Sequence, residues 1–219
     1  MQCFNNELIQ KYAAFAMEKQ LSFADIVGSK NWNVDINKGE ISFDDEFVFP
    51  MQILGTFSHS SETWLWGWAN TQSGIPEKLL EQSKLLQEYG HSHNIDFLTQ
   101  EQFEIERDDM HRIGLLALGM FNADGYYLGN YGAGTMCLTI SSDEIRKKFS
   151  NSHHSIFSVF SGLISQYEIN HKDAFVNYLT QKEYQIEKNG TEIIGTKGKD
   201  IVKALFDTLD RLETLTNIE

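Results

Sequence analysis

The segment Thr63-Trp64-Leu65-Trp66-Gly67-Trp68-Ala69-Asn70 constrains the fold more than any other stretch of the chain. Successive side chains of a strand point to opposite faces, so a strand over 63–69 sets Trp64, Trp66 and Trp68 on one side. Leu65, Gly67 and Ala69 then form a shallow opposite side. The preceding apolar run offers Phe47, Phe49, Met51, Ile53 and Phe57 on one of its own faces. Pairing that face with the tryptophans makes an aromatic slab, to which each indole contributes ~150–250 Å² of buried surface. Such a slab has two uses. Covered by helices, it is the core. Left partly open, it lines a pocket where indole faces stack a flat or cationic ligand. In the second case Trp64, Trp66 and Trp68 are the ligand-binding candidates, with Asn70 and Gln52 as the polar lining that indole N–H groups require.

The rest of the pattern places these strands in an α+β chain. Leu8, Ile9, Tyr12, Ala13 and Ala16 recur at helical spacing and predict a helix over 4–20. From Trp32 the period is two: Trp32, Val34 and Ile36, a turn at Asn37-Lys38-Gly39, then Ile41 and Phe43, then a turn at Asp44-Asp45. Two long strands, Phe47 to Phe57 and Thr63 to Ala69, complete an antiparallel meander. Pro50 cannot donate to a ladder, so it belongs at a bulge or an unpaired edge. Pro76 opens a helix that Gly90 closes. Thr99 and Gln102 have capping-box spacing and open a longer helix to Met120, acidic in its first half and apolar nearly all round in its second. Two strands flank the loop Gly129–Gly134, and Ser141 with Glu144 forms a further capping box. Two helices follow, through Ile156–Tyr167 and Phe175–Leu179. Asn189-Gly190 marks a hairpin, and Ile201, Leu205, Leu209 and Leu212 space a last helix. No linker or repeat divides the chain. The expectation is one α+β domain over 1–219: a twisted antiparallel sheet in 1–141, helices mainly on one face, and a helix-rich part in 142–219.

Leu54-Gly55-Thr56 and the tryptophan segment, with Trp32-Asn33-Val34-Asp35 upstream, resemble an uncharacterised family of bacterial domains. The resemblance is clearest over 32–70 and continues through the Pro76 helix and the 113–140 region. It implies a fold. The family has no established catalytic residues, so it implies no activity.

The net charge of −13, from 31 acidic and 18 basic residues, repels phosphate backbones and anionic membranes. Neither nucleic acid nor a membrane is an expected partner, whereas a basic protein is. Lys147-Lys148 and Lys197–Lys199 are short and flanked by acids. Cys3 and Cys137 are too few for a disulfide framework, and Cys137 sits in an apolar alternation. No residue pattern resembles a signal peptide, because Glu7, Lys11, Glu18 and Lys19 interrupt the first apolar periodicity, and the apolar run Ile113–Phe121 falls short of the ~20 residues that span a bilayer. A cytoplasmic setting is the expectation.

Catalytic and metal motifs are sparse. His91 and His93 have His-x-His spacing but follow Gly90 in an expected loop, and Glu104, Asp108 and His111 fall on one face of the expected long helix. Dedicated metal sites converge three or four ligands backed by second partners, so these remain weak candidates. His153-His154 at a helix start is expected to be solvated rather than a ligand pair. Gly129–Gly134 lacks the Gly-Lys-Ser/Thr ending of a phosphate loop and precedes a strand. No Gly-x-Ser-x-Gly occurs, and neither cysteine has a context that lowers its pKa. The working expectation is a non-catalytic cytoplasmic binding protein without a cofactor, for instance an acidic immunity or adaptor protein against a basic partner. The alternative is a small-molecule pocket or enzyme on the tryptophan face, with acids such as Glu104 or Asp108 at its rim. The third is a metalloprotein.

Overall fold

Period-two alternation from Trp32 onward becomes an antiparallel meander because each strand must bury one face, and short polar turns leave it no other partner than its neighbour. The computed structural model describes residues 6–44 and 46–218; Cys3 and Asp45 lie outside them. The chain divides into two compact units, one of residues 19–149 and the other of 6–18 and 150–219 within the described range. Helix α1 (Asn6–Val27) contributes to both, and it runs well past the expected end at residue 20.

In the first unit the meander is β1 (Trp32–Asp35), β2 (Glu40–Phe43), β3 (Phe47–Ser58) and β4 (Thr63–Trp66). The helix α2 (Glu81–His93) follows, then the short α3 (Asp96–Thr99), β5 (Gln102–Glu104), α4 (Asp109–Met120), β6 (Gly125–Asn130), β7 (Gly134–Ile140) and α5 (Asp143–Lys148). All strand pairs are antiparallel. The seven-stranded sheet runs β1-β2-β3-β4-β5, with β7 also pairing β3 and β6 pairing β7. Pro50 is exposed where β3 passes from pairing β2 to pairing β7.

Phe23 and Val27 of α1 pack with Ile41, Phe43, Phe49, Met51, Ile53, Leu138 and Ile140 into one apolar core. The predicted strands of 32–58 and 125–140 are all present. Three expectations are corrected. Gly90 lies inside α2, not at its end: a Cβ there would approach Leu98 Cβ to 2.6 Å, and the left-handed Asn94 (φ 54°) ends the helix instead. Thr99 to Met120 is not one helix. Thr99 ends α3, Gln102–Glu104 pairs with β4, and only Asp109 onward is helical. The cap of α5 is Ser142, which accepts from the Glu144 N–H, rather than Ser141.

In the second unit, α6 (Ser155–Gln166) and α7 (His171–Gln181) precede a four-stranded sheet of order β11-β10-β9-β8. Its strands are β8 (Gln185–Asn189), β9 (Glu192–Lys197), β10 (Asp200–Phe206) and β11 (Leu212–Ile218). The Asn189-Gly190 hairpin forms as expected, with Gly190 at φ 64°. The expected last helix is instead the β10–β11 hairpin, so the C-terminal part is helical only as far as Gln181 and continues as a sheet. Val202, Ala204 and Phe206 are its buried residues, at a spacing of two. Among the described residues no helix is long and apolar enough to cross a membrane.

Candidate functional site

Residues paired across strands share a face, so the register locates the tryptophans. Trp66 pairs with Gly55 and Trp64 with Phe57; on the other edge Gly55 pairs with Cys137 and Phe57 with Thr135. Ile53, however, pairs with Leu138, because a register shift leaves Leu54 as an extra residue. Cys137 and Leu138 are consecutive and point opposite ways. The bulge therefore splits the expected slab: Phe49, Met51 and Ile53 lie on one face, and Phe57, Trp64 and Trp66 on the other.

Trp68 leaves the alternation altogether. The strand stops at Trp66, and Gly67–Ala69 is a 3₁₀ turn. Glycine permits this turn, since a Cβ at Gly67 would stand 3.0 and 3.1 Å from the carbonyls of Ile53 and Leu54. The expectation of three indoles on one side is thus corrected to two. Trp64 and Trp66 are fully buried, edge to face at 5.3 Å, and Trp66 Nε1–H donates to the Phe97 carbonyl at 2.9 Å. Buried Nε1 of Trp64 and of Trp68 lack a hydrogen-bond partner. Asn70 accepts from Ser73 Oγ at 2.8 Å, within its own turn. The two strand indoles belong to the core.

The metal candidates do not converge. His91 and His93 are exposed in the last turn of α2 rather than in a loop, and the His93 ring stacks on Tyr89 at 3.8 Å. Glu104 is on β5, Asp108 precedes α4, and His111 lies in the first turn of α4 with Nδ1 2.7 Å from Tyr126 Oη. Burial pulls the His111 imidazole below its ordinary value, against the opposing charge of Asp108. Among the described residues no three His, Cys, Asp or Glu side chains are placed to hold an ion.

Of the predicted site residues, Gln52 lines an open cleft. Together with Pro50, Met51, Glu81, Gln82, Thr139 and Ser141 it encloses about 250 Å³ between β3, β7 and the start of α2. Gln52 Nε2 donates to the Lys78 carbonyl at 2.8 Å, Gln52 Oε1 accepts from the Gln82 N–H at 3.3 Å, and Thr139 Oγ1 donates to Gln82 Oε1 at 2.5 Å. Glu81, Gln82, Thr139 and Ser141 escape a sequence reading because their meeting depends on the β3–β7 register.

A second feature is electrostatic. β5 closes the sheet beside β4, and Glu62, Glu101, Glu104 and Glu106 are exposed around it with no ion pair among the described residues. Between Lys19 and Phe149 the chain carries 19 acidic and 10 basic residues, so most of the net charge belongs to this unit. Two displaced titrations lie elsewhere, in the buried side chains of Cys137 and Lys182. Burial pushes the Cys137 thiol up, away from thiolate chemistry. Burial likewise pulls Lys182 below its ordinary value even though it pairs with Glu18.

No curated protein and no solved structure matches the chain. The model of DUF6882, a family of unknown function, matches residues 6–143. That span includes the tryptophan strand, the cleft and the acidic edge, and covers well over half of the sequence, so the chain belongs to the DUF6882 family.

Proposed function

We propose that the protein is a non-catalytic binding protein of a bacterial cytoplasm, an immunity or adaptor protein in type, whose partner is a basic protein. The observation that carries this reading is the acidic sheet edge. Glu62, Glu101, Glu104 and Glu106 are solvent-exposed, without an ion pair among the described residues, around a strand with one open side. Carboxylates held on a short rigid strand keep a fixed spacing and raise the local concentration of a cationic partner, which speeds encounter and makes it salt-dependent. The buried thiol of Cys137 and the full burial of Trp64 and Trp66 favour binding over chemistry at the residues that the sequence singles out.

The test is calorimetric titration of the full chain with a decalysine peptide at low and at high salt. The triple variant Glu101→Gln, Glu104→Gln, Glu106→Gln weakens binding at least tenfold at low salt. The control variant Asp173→Asn, Glu187→Gln, Glu213→Gln, altered at exposed acids of the second unit, changes it less than threefold. Equal losses in the two variants would show that only net charge matters and would remove the edge from the proposal.

A further inference from the structure

We infer that the cleft between β3, β7 and the start of α2 is a binding site for a small neutral molecule bearing adjacent hydroxyl groups, a polyol or a monosaccharide. This site is separate from the acidic edge and does not depend on it. Its volume of about 250 Å³ is below the ~300–1,000 Å³ typical of sites for drug-sized ligands, and it suits a molecule of one ring.

The chemistry of the wall selects the ligand. Gln52 is fixed at both ends of its amide, accepting from a backbone N–H and donating to a backbone carbonyl. Gln82 Oε1 is occupied by the Thr139 hydroxyl, which leaves the Gln82 NH₂ group as a donor in the cleft that Gln82 lines. Beside it in sequence, Glu81 lines the same cleft with an exposed carboxylate that makes no ion pair among the described residues, and Ser141 adds a hydroxyl. The wall thus offers a fixed donor next to a charged acceptor. A lone ammonium group satisfies Glu81 but meets the Gln82 donor with another donor. A carboxylate or phosphate meets Glu81 with like charge. A vicinal diol satisfies both, because one hydroxyl gives its proton to Glu81 while the lone pairs of its neighbour accept from Gln82. Pro50 and Met51 supply an apolar strip for the carbon-bound hydrogens of such a ring.

The experiment is a two-dimensional ¹H–¹⁵N titration of the full chain with D-ribose, and separately with acetamide and with ethylammonium chloride. Ribose shifts the side-chain NH₂ signals of Gln52 and Gln82 saturably in the millimolar range, and neither of the other probes does so. Glu81→Gln weakens the ribose response about tenfold, while Glu104→Gln on the acidic edge leaves it unchanged. Absence of a saturable ribose shift overturns the inference, as does a stronger response to acetamide or ethylammonium. An unaltered response in Glu81→Gln overturns the assigned role of its carboxylate. None of these results bears on decalysine binding, so the two proposals fail separately.

Discussion

Lys182 Nζ lies 2.7 and 2.8 Å from the two carboxylate oxygens of Glu18, with both side chains almost fully buried. The pair is closed by further polar groups. Tyr178 Oη donates to Glu18 Oε2 at 2.7 Å, and Lys182 donates to Asn151 Oδ1 at 2.6 Å. Breaking such a pair leaves an uncompensated buried charge, which costs ~3–5 kcal/mol. Lys182→Met is therefore expected to lower the urea midpoint sharply. The double variant Glu18→Gln, Lys182→Met removes both charges and keeps hydrogen bonding at position 18, so it is expected to be more stable than Lys182→Met alone. Simple additivity of the two single losses would contradict a coupled pair.

Asp124 organises the first unit in a comparable way. Its carboxylate accepts from Arg146 Nε at 3.2 Å, Arg146 Nη2 at 2.8 Å and the Ser142 N–H at 2.8 Å, and it is 3% exposed. Lys19 adds a longer contact at 4.0 Å. Hydrogen bonds to charged groups contribute roughly 1.5–3 kcal/mol. Asp124→Ala is expected to destabilise by about 2–3 kcal/mol on that scale, read as a lower urea midpoint at constant slope. Asp143→Ala removes only the exposed partner of Arg146 and is expected to change the midpoint little.

Gly55 is the point on which the tryptophan strand is seated. A Cβ there would stand 2.5 Å from both the Leu65 carbonyl oxygen and Trp64 Cζ2. A backbone carbonyl in a ladder cannot swing aside, so Gly55→Ala is expected to cost ~1–3 kcal/mol through overpacking. It also shifts the tryptophan fluorescence. Gly162→Ala, where a Cβ meets nothing within 4 Å in helix α6, is the matched control and is expected to be neutral or stabilising. Equal effects at the two positions would refute the close approach of Trp64.

Alkaline pH is expected to act through Cys137 and Tyr178. Burial raises both above their ordinary values of 9.0 and 10.0, and Glu18 reinforces the shift at Tyr178. Below pH 9 these protons stay bound in both folded and unfolded chains, so the stabilisation is fully present. As pH rises past 9 the unfolded chain releases them first, and stability falls. Lys182 and Lys19, whose values are lowered mainly by burial, act with the opposite sign below 10.5. Comparison with Cys137→Ala isolates the thiol: the advantage of the natural chain over the variant shrinks between pH 8 and pH 10. A constant difference would contradict it.

How much of this was legible depends on whether a segment's burial follows its local period. Trp32 to Phe57 is readable because alternation and the Asn37–Gly39 turn agree. Ile201, Leu205, Leu209 and Leu212 also fit a helix, yet the buried set is Val202, Ala204 and Phe206. Apolar residues on both faces of β10 mask its period of two. Glu101 to Asp109 reads as the acidic first turns of a helix, whereas pairing of Thr63 with Glu104 makes part of it a strand. That pairing spans some forty residues and leaves no local trace. The bulge at Leu54 has the same origin, and it decides which face each aromatic takes. Gln52 was identifiable from its place beside the tryptophans, but Gln82 and Thr139 reach it only through the folded register.

The most direct measurement is a map of backbone amide shifts as decalysine is added to the full chain at low salt. Shifts concentrated in Glu62, Glu101, Gln102, Glu104 and Glu106, lost on raising the salt, are the predicted result. Shifts spread evenly over exposed acids of both units, with no preference for the β5 edge, would contradict a dedicated docking edge.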